Sequence, residues 1–252
     1  MRIERKVGVT VAGLGALLIA MGGAAPAIAG SGPAAGLGHF TGAKLTITNA
    51  TSTGFGGWVF TPKGAKSVTA EYKVPSFKCT SVASGFGPLS ALATSTAATG
   101  FNAAGLLMGC SGGSAVASAA VVVNGVQTLG TKPVAPGDLI KTTITVTTTK
   151  VTATVADLTK ARAFTLTKSG KGGAGLEELI VDDSLNNGTT QLPVTNFGKL
   201  AFSKAAVSGK AIGGVKPQTA VNMETAKKVL QILTGPITGT AKNTFLTTWK
   251  HS

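Results

Sequence analysis

Leu139-Ile-Lys-Thr-Thr-Ile-Thr-Val-Thr147, Val151-Thr-Ala-Thr-Val-Ala-Asp-Leu158 and Ala163-Phe-Thr-Leu-Thr167 decide the fold class of this chain. Each segment is β-branched or alternating, and short polar breaks separate them, which is the pattern of consecutive half-buried strands. Pro136-Gly-Asp138 opens the meander as a turn. Upstream, Ala115 to Val123 runs into Asn124-Gly125, a tight hairpin signal. In Ser67 to Pro75, Val68, Ala70, Tyr72 and Val74 point one way and Thr69, Glu71 and Lys73 the other, until Pro75 stops the strand. Gly54 to Phe60 reads as a strand in which Gly56 and Gly57 admit a close neighbour. Lys44 to Thr48, Phe197 to Phe202 and Thr244 to Lys250 supply further strands.

Two regions read less sharply. Residues 80–110 are rich in Ser, Ala and Gly and are expected to be loop with one or two weak strands. Over residues 224–234, Ala226, Val229, Leu230 and Leu233 have helical spacing while Val229, Gln231 and Leu233 fit a strand, and periodicity leaves both open. Many short strands with Gly, Pro and Asn turns, and threonine-rich outer faces, predict an all-β, two-sheet antiparallel β-sandwich of the jelly-roll or concanavalin-like kind over residues 44–252.

The sandwich is expected to follow a signal-peptide helix, residues 1–29, and a flexible leader, residues 30–43. Arg2, Arg5 and Lys6 form a basic start, Val7 to Met21 an apolar stretch, and Ala27-Ile-Ala29 a cleavage site. Glycines and Pro26 break the apolar run, which is short for a bilayer, so no stable membrane span is expected once it is removed. What remains is 223 residues with 20 basic and 8 acidic side chains. Of the basic ones only Arg162 is Arg, and Tyr72 is the only Tyr. Bidentate base readers are therefore nearly absent and the stacking surface is thin, which argues against nucleic acid. The charge suits an anionic cell-wall polymer instead. Cys79 and Cys110, the only cysteines of an exported chain, predict one disulfide. No metal site and no cofactor are expected, because His39 and His251 are the only other soft ligands and lie near the ends.

Beyond the meander, Gly175-Leu-Glu-Glu-Leu-Ile-Val-Asp-Asp183 holds four of the nine acidic residues in the chain. As a strand it places Glu178, Ile180 and Asp182 on one face and Glu177, Leu179, Val181 and Asp183 on the other. Glu178 and Asp182 then stand about 13 Å apart, too far to share a proton. The alternating acids Glu-x-Asp-x-x-Glu of a sandwich glycoside hydrolase strand are absent, since Ile180 occupies the position two after Glu178.

Several blocks, in order, resemble the glutamic peptidase (eqolisin) family in its bacterial secreted form. They are Phe55-Gly-Gly-Trp-Val59, Ser67 to Pro75, Cys79, Cys110-Ser-Gly-Gly113, Pro136-Gly-Asp138, Glu177 to Asp183, Phe197 to Phe202 and Phe245 to Trp249. The resemblance implies a sandwich with substrate across its concave sheet, Glu178 as general base on a water, and substrate contacts from Phe55 and Asp182. It also implies a partner glutamine that holds the water and stabilises the oxyanion. That glutamine is missing: Ala103 stands in its place, or Met108 in a shifted frame, and neither donates a hydrogen bond. Asn102 is expected to face away from that position, and Gln127 lies on the wrong side of the Cys-Ser-Gly-Gly turn. The resemblance, without that glutamine, implies a secreted peptide- or glycan-binding or surface module without catalysis. The alternative is an acid endopeptidase using Glu178 and a substitute amide.

Overall fold

The computed structural model describes residues 39–40, 51–79, 82–95, 98–111, 113–169, 175–186 and 191–251. The expected signal peptide, most of the leader and the Lys44 to Thr48 strand lie outside the described residues.

In chain order the strands are β1 (His39–Phe40), β2 (Thr51–Ser52), β3 (Phe55–Phe60), β4 (Ser67–Lys73), β5 (Ser84–Ala93), β6 (Phe101–Ser111), β7 (Ser114–Val123), β8 (Val126–Pro133) and β9 (Leu139–Val146). They continue with β10 (Lys150–Asp157), β11 (Arg162–Ser169), β12 (Glu177–Asn186), β13 (Lys199–Val207), β14 (Lys210–Ala211), β15 (Gln218–Glu224), β16 (Leu230–Thr234) and β17 (Phe245–Trp249). The front sheet runs β15-β3-β12-β5-β6-β7-β8 and is antiparallel throughout. The back sheet runs β11-β10-β9-β4-β13-β17-β16-β15, also antiparallel. β15 belongs to both: Gln218 to Val221 pair with β3, and Met223 and Glu224 with β16. The two-sheet sandwich read from the sequence is the fold observed.

The meander shows why. Along β10, Val151, Ala153 and Val155 turn into the core, while Thr152 and Thr154 turn out and meet Thr167 and Thr165 of β11, hydroxyl to hydroxyl, at 3.0 Å. Alternation thus divides the strand between a dry and a wet face. Between the sheets lie Phe60, Tyr72, Phe86, Ile140, Phe202 and Phe245, with Phe202 stacked on Phe245 at 4.8 Å and meeting Tyr72 edge-on at 5.5 Å. Asn124 and Gly125 both take positive φ (54° and 76°) in the β7–β8 hairpin, as a two-residue turn of that hand requires.

Residues 80–110 depart from the loop expected there, forming the 10-residue β5 and the 11-residue β6. Both are buried on both faces: Leu92, Ala104, Leu106 and Met108 face the back sheet, and Leu89, Ala91, Ala103 and Leu107 a second apolar cluster on the outer face. With no wet side there is no alternation to read. Residues 224–234 form strand, turn and strand. Lys228 takes φ 65°, and Thr225 closes the turn with the Val229 carbonyl at 2.8 Å, which places the helical spacing across a reversal. Within the expected leader, His39 and Phe40 pair with Asn186 and Leu185 at the end of β12. Cys79 and Cys110 form the expected disulfide, with Cα atoms 5.4 Å apart, tying the segment after β4 to the end of β6.

At the side opposite β15 the two layers part around a cavity of about 330 Å³ lined by Val134, Ile140, Val155 and Phe164. Arg162 and Lys160 reach Asp157 there at 3.0 and 3.9 Å, and Lys160 also pairs with Asp138.

Candidate active site

β12 runs through the front sheet between β3 and β5, so residues paired across it share its faces. Glu178 pairs with Phe60 on one side and Leu92 on the other; beyond them stand Gln218 and Asn102. The row Gln218–Phe60–Glu178–Leu92–Asn102 therefore points one way, into the core between the sheets, where Phe60, Leu92 and Ile180 are packed. β3 lies close enough to β12 that a side chain at Gly57 would meet the Ile180 carbonyl at 2.4 Å. A Cβ at Gly56 would stand 2.8 Å from Ile232 of the back sheet, so both glycines serve packing inside the chain.

Glu178 is 0% exposed, and neither carboxylate oxygen accepts a hydrogen bond. The group is wedged against Gly175, where a Cβ would stand 2.1 Å from Oε1. Burial, and after it the charge of Glu177, pushes the Glu178 carboxyl up to about 8. An acid that loses its water without gaining donors keeps its proton.

Asp182, four residues along the strand on the same face, is also fully buried. Its Oδ2 accepts from the Thr247 hydroxyl, its Oδ1 from nothing, and burial pushes it up to about 7 against the opposing pull of that hydrogen bond. The Tyr72 hydroxyl donates to the Pro88 carbonyl at 3.0 Å, and burial followed by the Asp182 charge holds it well above the usual phenol range.

The other parity of β12 faces outward. Leu179 shares its row with Val59, Ala91, Ala103, Val122 and Gln127. Glu177 lies on this side, 8% exposed and raised by burial, as does Asp183. Phe55 is buried in the outer apolar cluster. Met108 is in the core between the sheets.

The structure thus separates residues that the sequence reading brought together: Ala103 is on the outer face and Glu178 on the inner one. Asn102 faces away from Ala103, as expected, and therefore has Glu178's parity. Two strand spacings, roughly 10 Å, still separate it from Glu178. Its amide nitrogen donates to the carbonyls of Leu92 (3.2 Å) and Gly100 (2.9 Å), and its oxygen accepts from Asn124 (2.9 Å). Gln218, which the sequence reading passed over, stands at the same remove across Phe60. Counting strand parity through the Phe60 register is the signal that finds it. Gln127 is on the opposite face with three strands between β8 and β12.

The sequence profile of the Peptidase A4 family matches residues 53–242. The chain belongs to the Peptidase A4 family. Among solved structures, this Peptidase A4 fold is similar to that of scytalidoglutamic peptidase with a transition state analog inhibitor (TM-score 0.65, 17% identity, covering 79% of this chain and 99% of that one). It is also similar to SCP-B, an eqolisin-family peptidase in complex with the tripeptide Ala-Ile-His (TM-score 0.60, 15% identity, 79% and 99% covered). Aspergilloglutamic peptidase from Aspergillus niger is a third likeness (TM-score 0.54, 19% identity, 66% and 99% covered). At these identities the likeness is one of fold. Among curated proteins, none matches the chain significantly. For this Peptidase A4 member the family blocks imply Glu178 as the glutamate and Ala103, or Met108 in a shifted frame, as the glutamine position; Ala103 is on the opposite face from Glu178, and Met108 is on the same face but in the row of Phe86 and Ser184.

Proposed function

We propose that this protein is an exported member of the family that has lost peptide hydrolysis and keeps a binding role toward extended peptides. The observation that carries the reading is the opposed parity of Glu178 and Ala103. A general base must reach the water it deprotonates, and an oxyanion donor must reach the same reacting carbon. Glu178 is enclosed between two sheets with its proton held to about pH 8, and neither Ala103 nor Met108, which stands in the shifted frame, has a donor to offer. Losing one such donor alone costs about 10²–10³ in kcat. Export is supported by the basic and apolar N-terminal sequence and by the disulfide. A peptide ligand is supported by the likeness to SCP-B, which was solved with a tripeptide.

The test is incubation of the purified protein with a denatured substrate protein from pH 2 to 7, with fragments read by mass spectrometry, alongside binding of fluorescent peptides by anisotropy. No fragments and saturable peptide binding are expected. Fragments that vanish in Glu178→Gln would establish the acid endopeptidase instead, and absence of peptide binding would remove the proposed ligand class.

A further inference from the structure

Three turns meet at one end of the sandwich, and each presents a lysine. Lys63 lies in the β3–β4 connection, Lys210 follows the Ser208-Gly209 turn between β13 and β14, and Lys216 precedes β15. Their side chains line a cleft of about 280 Å³ floored by Ala65, Val207 and Val215. The turns are bound to one another by the backbone. The Lys66 amide donates to the Ser208 hydroxyl (2.9 Å), the Ser208 amide to the Ser67 carbonyl (2.8 Å), and the Thr61 amide to the Pro217 carbonyl (3.1 Å). The lysines are therefore carried on a braced frame.

Two of the side chains are also directed. The Lys210 stem crosses Gly214, where a Cβ would lie 2.9 Å from its Cε. In the orientation that satisfies its neighbours, the Gln218 amide donates to the carbonyls of Ile212 (2.8 Å) and Val215 (3.0 Å), and its oxygen accepts from Lys216 Nζ at 2.7 Å. That partner is neutral and leaves the ammonium charge uncompensated. Among the described residues none of the three lysines forms an ion pair. Glu71, Asp138, Asp157 and Glu224 pair elsewhere, and the other described acids are buried on β12. Lys66 and Lys242 extend the positive charge beyond the cleft: Lys66 is exposed beside Ser208, and the Lys242 carbonyl accepts from the Gly213 amide at 2.8 Å.

Ammonium groups are compact point charges that hold phosphate oxygens singly, without the bidentate fork of a guanidinium. We infer that this cleft binds the phosphate groups of a phosphodiester-linked polymer, with Lys63, Lys210 and Lys216 around one phosphate and Lys66 and Lys242 beside its neighbours. The inference holds whether or not the outer face of the front sheet cleaves or binds peptides.

The experiment titrates the purified protein with poly(glycerol phosphate), poly-glutamate and inorganic phosphate at two salt concentrations. It compares wild type with the Lys63→Gln, Lys210→Gln, Lys216→Gln triple variant and with a control of equal charge change, Lys132→Gln, Lys199→Gln, Lys250→Gln. The cleft variant is expected to lose about tenfold or more in affinity for poly(glycerol phosphate) and to show a shallower salt dependence, with the control close to wild type. Inorganic phosphate is expected to compete only at much higher concentration, because it fills one subsite. Equal losses in both triple variants would show a diffuse charge effect and overturn the site. Poly-glutamate binding as tightly as the phosphodiester would overturn the ligand class, as would no binding of poly(glycerol phosphate), and inorganic phosphate matching the polymer would overturn the polymer as the source.

Discussion

Replacing Glu178 by Gln separates a buried, protonated acid from a working base by its dependence on pH. The wild-type carboxyl is raised from 4.5 to about 8 in the folded chain. Between those values the unfolded chain has released the proton and the folded chain still holds it. The folded state binds more protons, and stability falls as pH rises. The full stabilisation is present below about pH 4.5 and is lost by about pH 8. The shift corresponds to an upper bound of roughly 5 kcal/mol, and to about 3 kcal/mol if water reaches the group as it ionises. Glutamine does not titrate, so its stability relative to wild type should climb by about 3–5 kcal/mol from pH 4 to pH 8, on top of a constant offset for its own unpaired amide. Asp182 titrates in both proteins and cancels in the difference. Urea denaturation at pH 4, 6 and 8, with slopes compared to check that unfolding stays two-state, measures it. A difference that stays flat with pH, or that favours wild type as pH rises, would mean that the Glu178 carboxylate is ionised and partnered, and the reasoning from its burial would fail.

Three further outcomes follow from the same geometry. Ala103→Gln restores the missing side chain on the face that Glu178 does not reach, so no peptide cleavage should appear at any pH from 2 to 7; turnover in this variant, read by fragment analysis, would show that the two positions cooperate. Gly175→Ala sets a methyl 2.1 Å from Glu178 Oε1 and 2.9 Å from the Ala65 carbonyl, and should destabilise by about 1–3 kcal/mol in chemical denaturation. Removing the disulfide as Cys79→Ala, Cys110→Ala opens a loop of 31 residues and should cost about 3–4 kcal/mol, checked against the oxidised protein at equal pH.

How much of this was legible in the chain depended on which faces were wet. The meander from Leu139 to Thr167 announced itself because Thr152 and Thr154 remain in water while Val151, Ala153 and Val155 do not. β5 and β6 were hidden because Leu89, Ala91 and Ala103 are as buried as Leu92, Ala104 and Leu106, so small apolar residues follow one another without a period. The same ambiguity governed the candidate site. Alternation grouped Glu178 with Ile180 and Asp182 correctly, but it could not say which parity looks inward when Leu179, Ile180 and Val181 are all apolar. Only the pairing of Phe60 with Glu178 and of Ala103 with Val122 settles that. Asn102 was placed correctly relative to Ala103; what the sequence did not show is that Glu178 shares Asn102's face rather than Ala103's.

Because β15 hydrogen-bonds to both layers, the molecule is bound along one margin like a book along its spine, and its pages can part only at the other. That fore-edge lies between β8 and β11, where the 330 Å³ cavity sits and Arg162, held by Asp157 of its own sheet, acts as a clasp by donating across to the Pro133 carbonyl of β8. Thermal breathing should therefore begin at the fore-edge and die away toward the spine, with amide hydrogens of β8 and β11 exchanging long before those of β3 and β16.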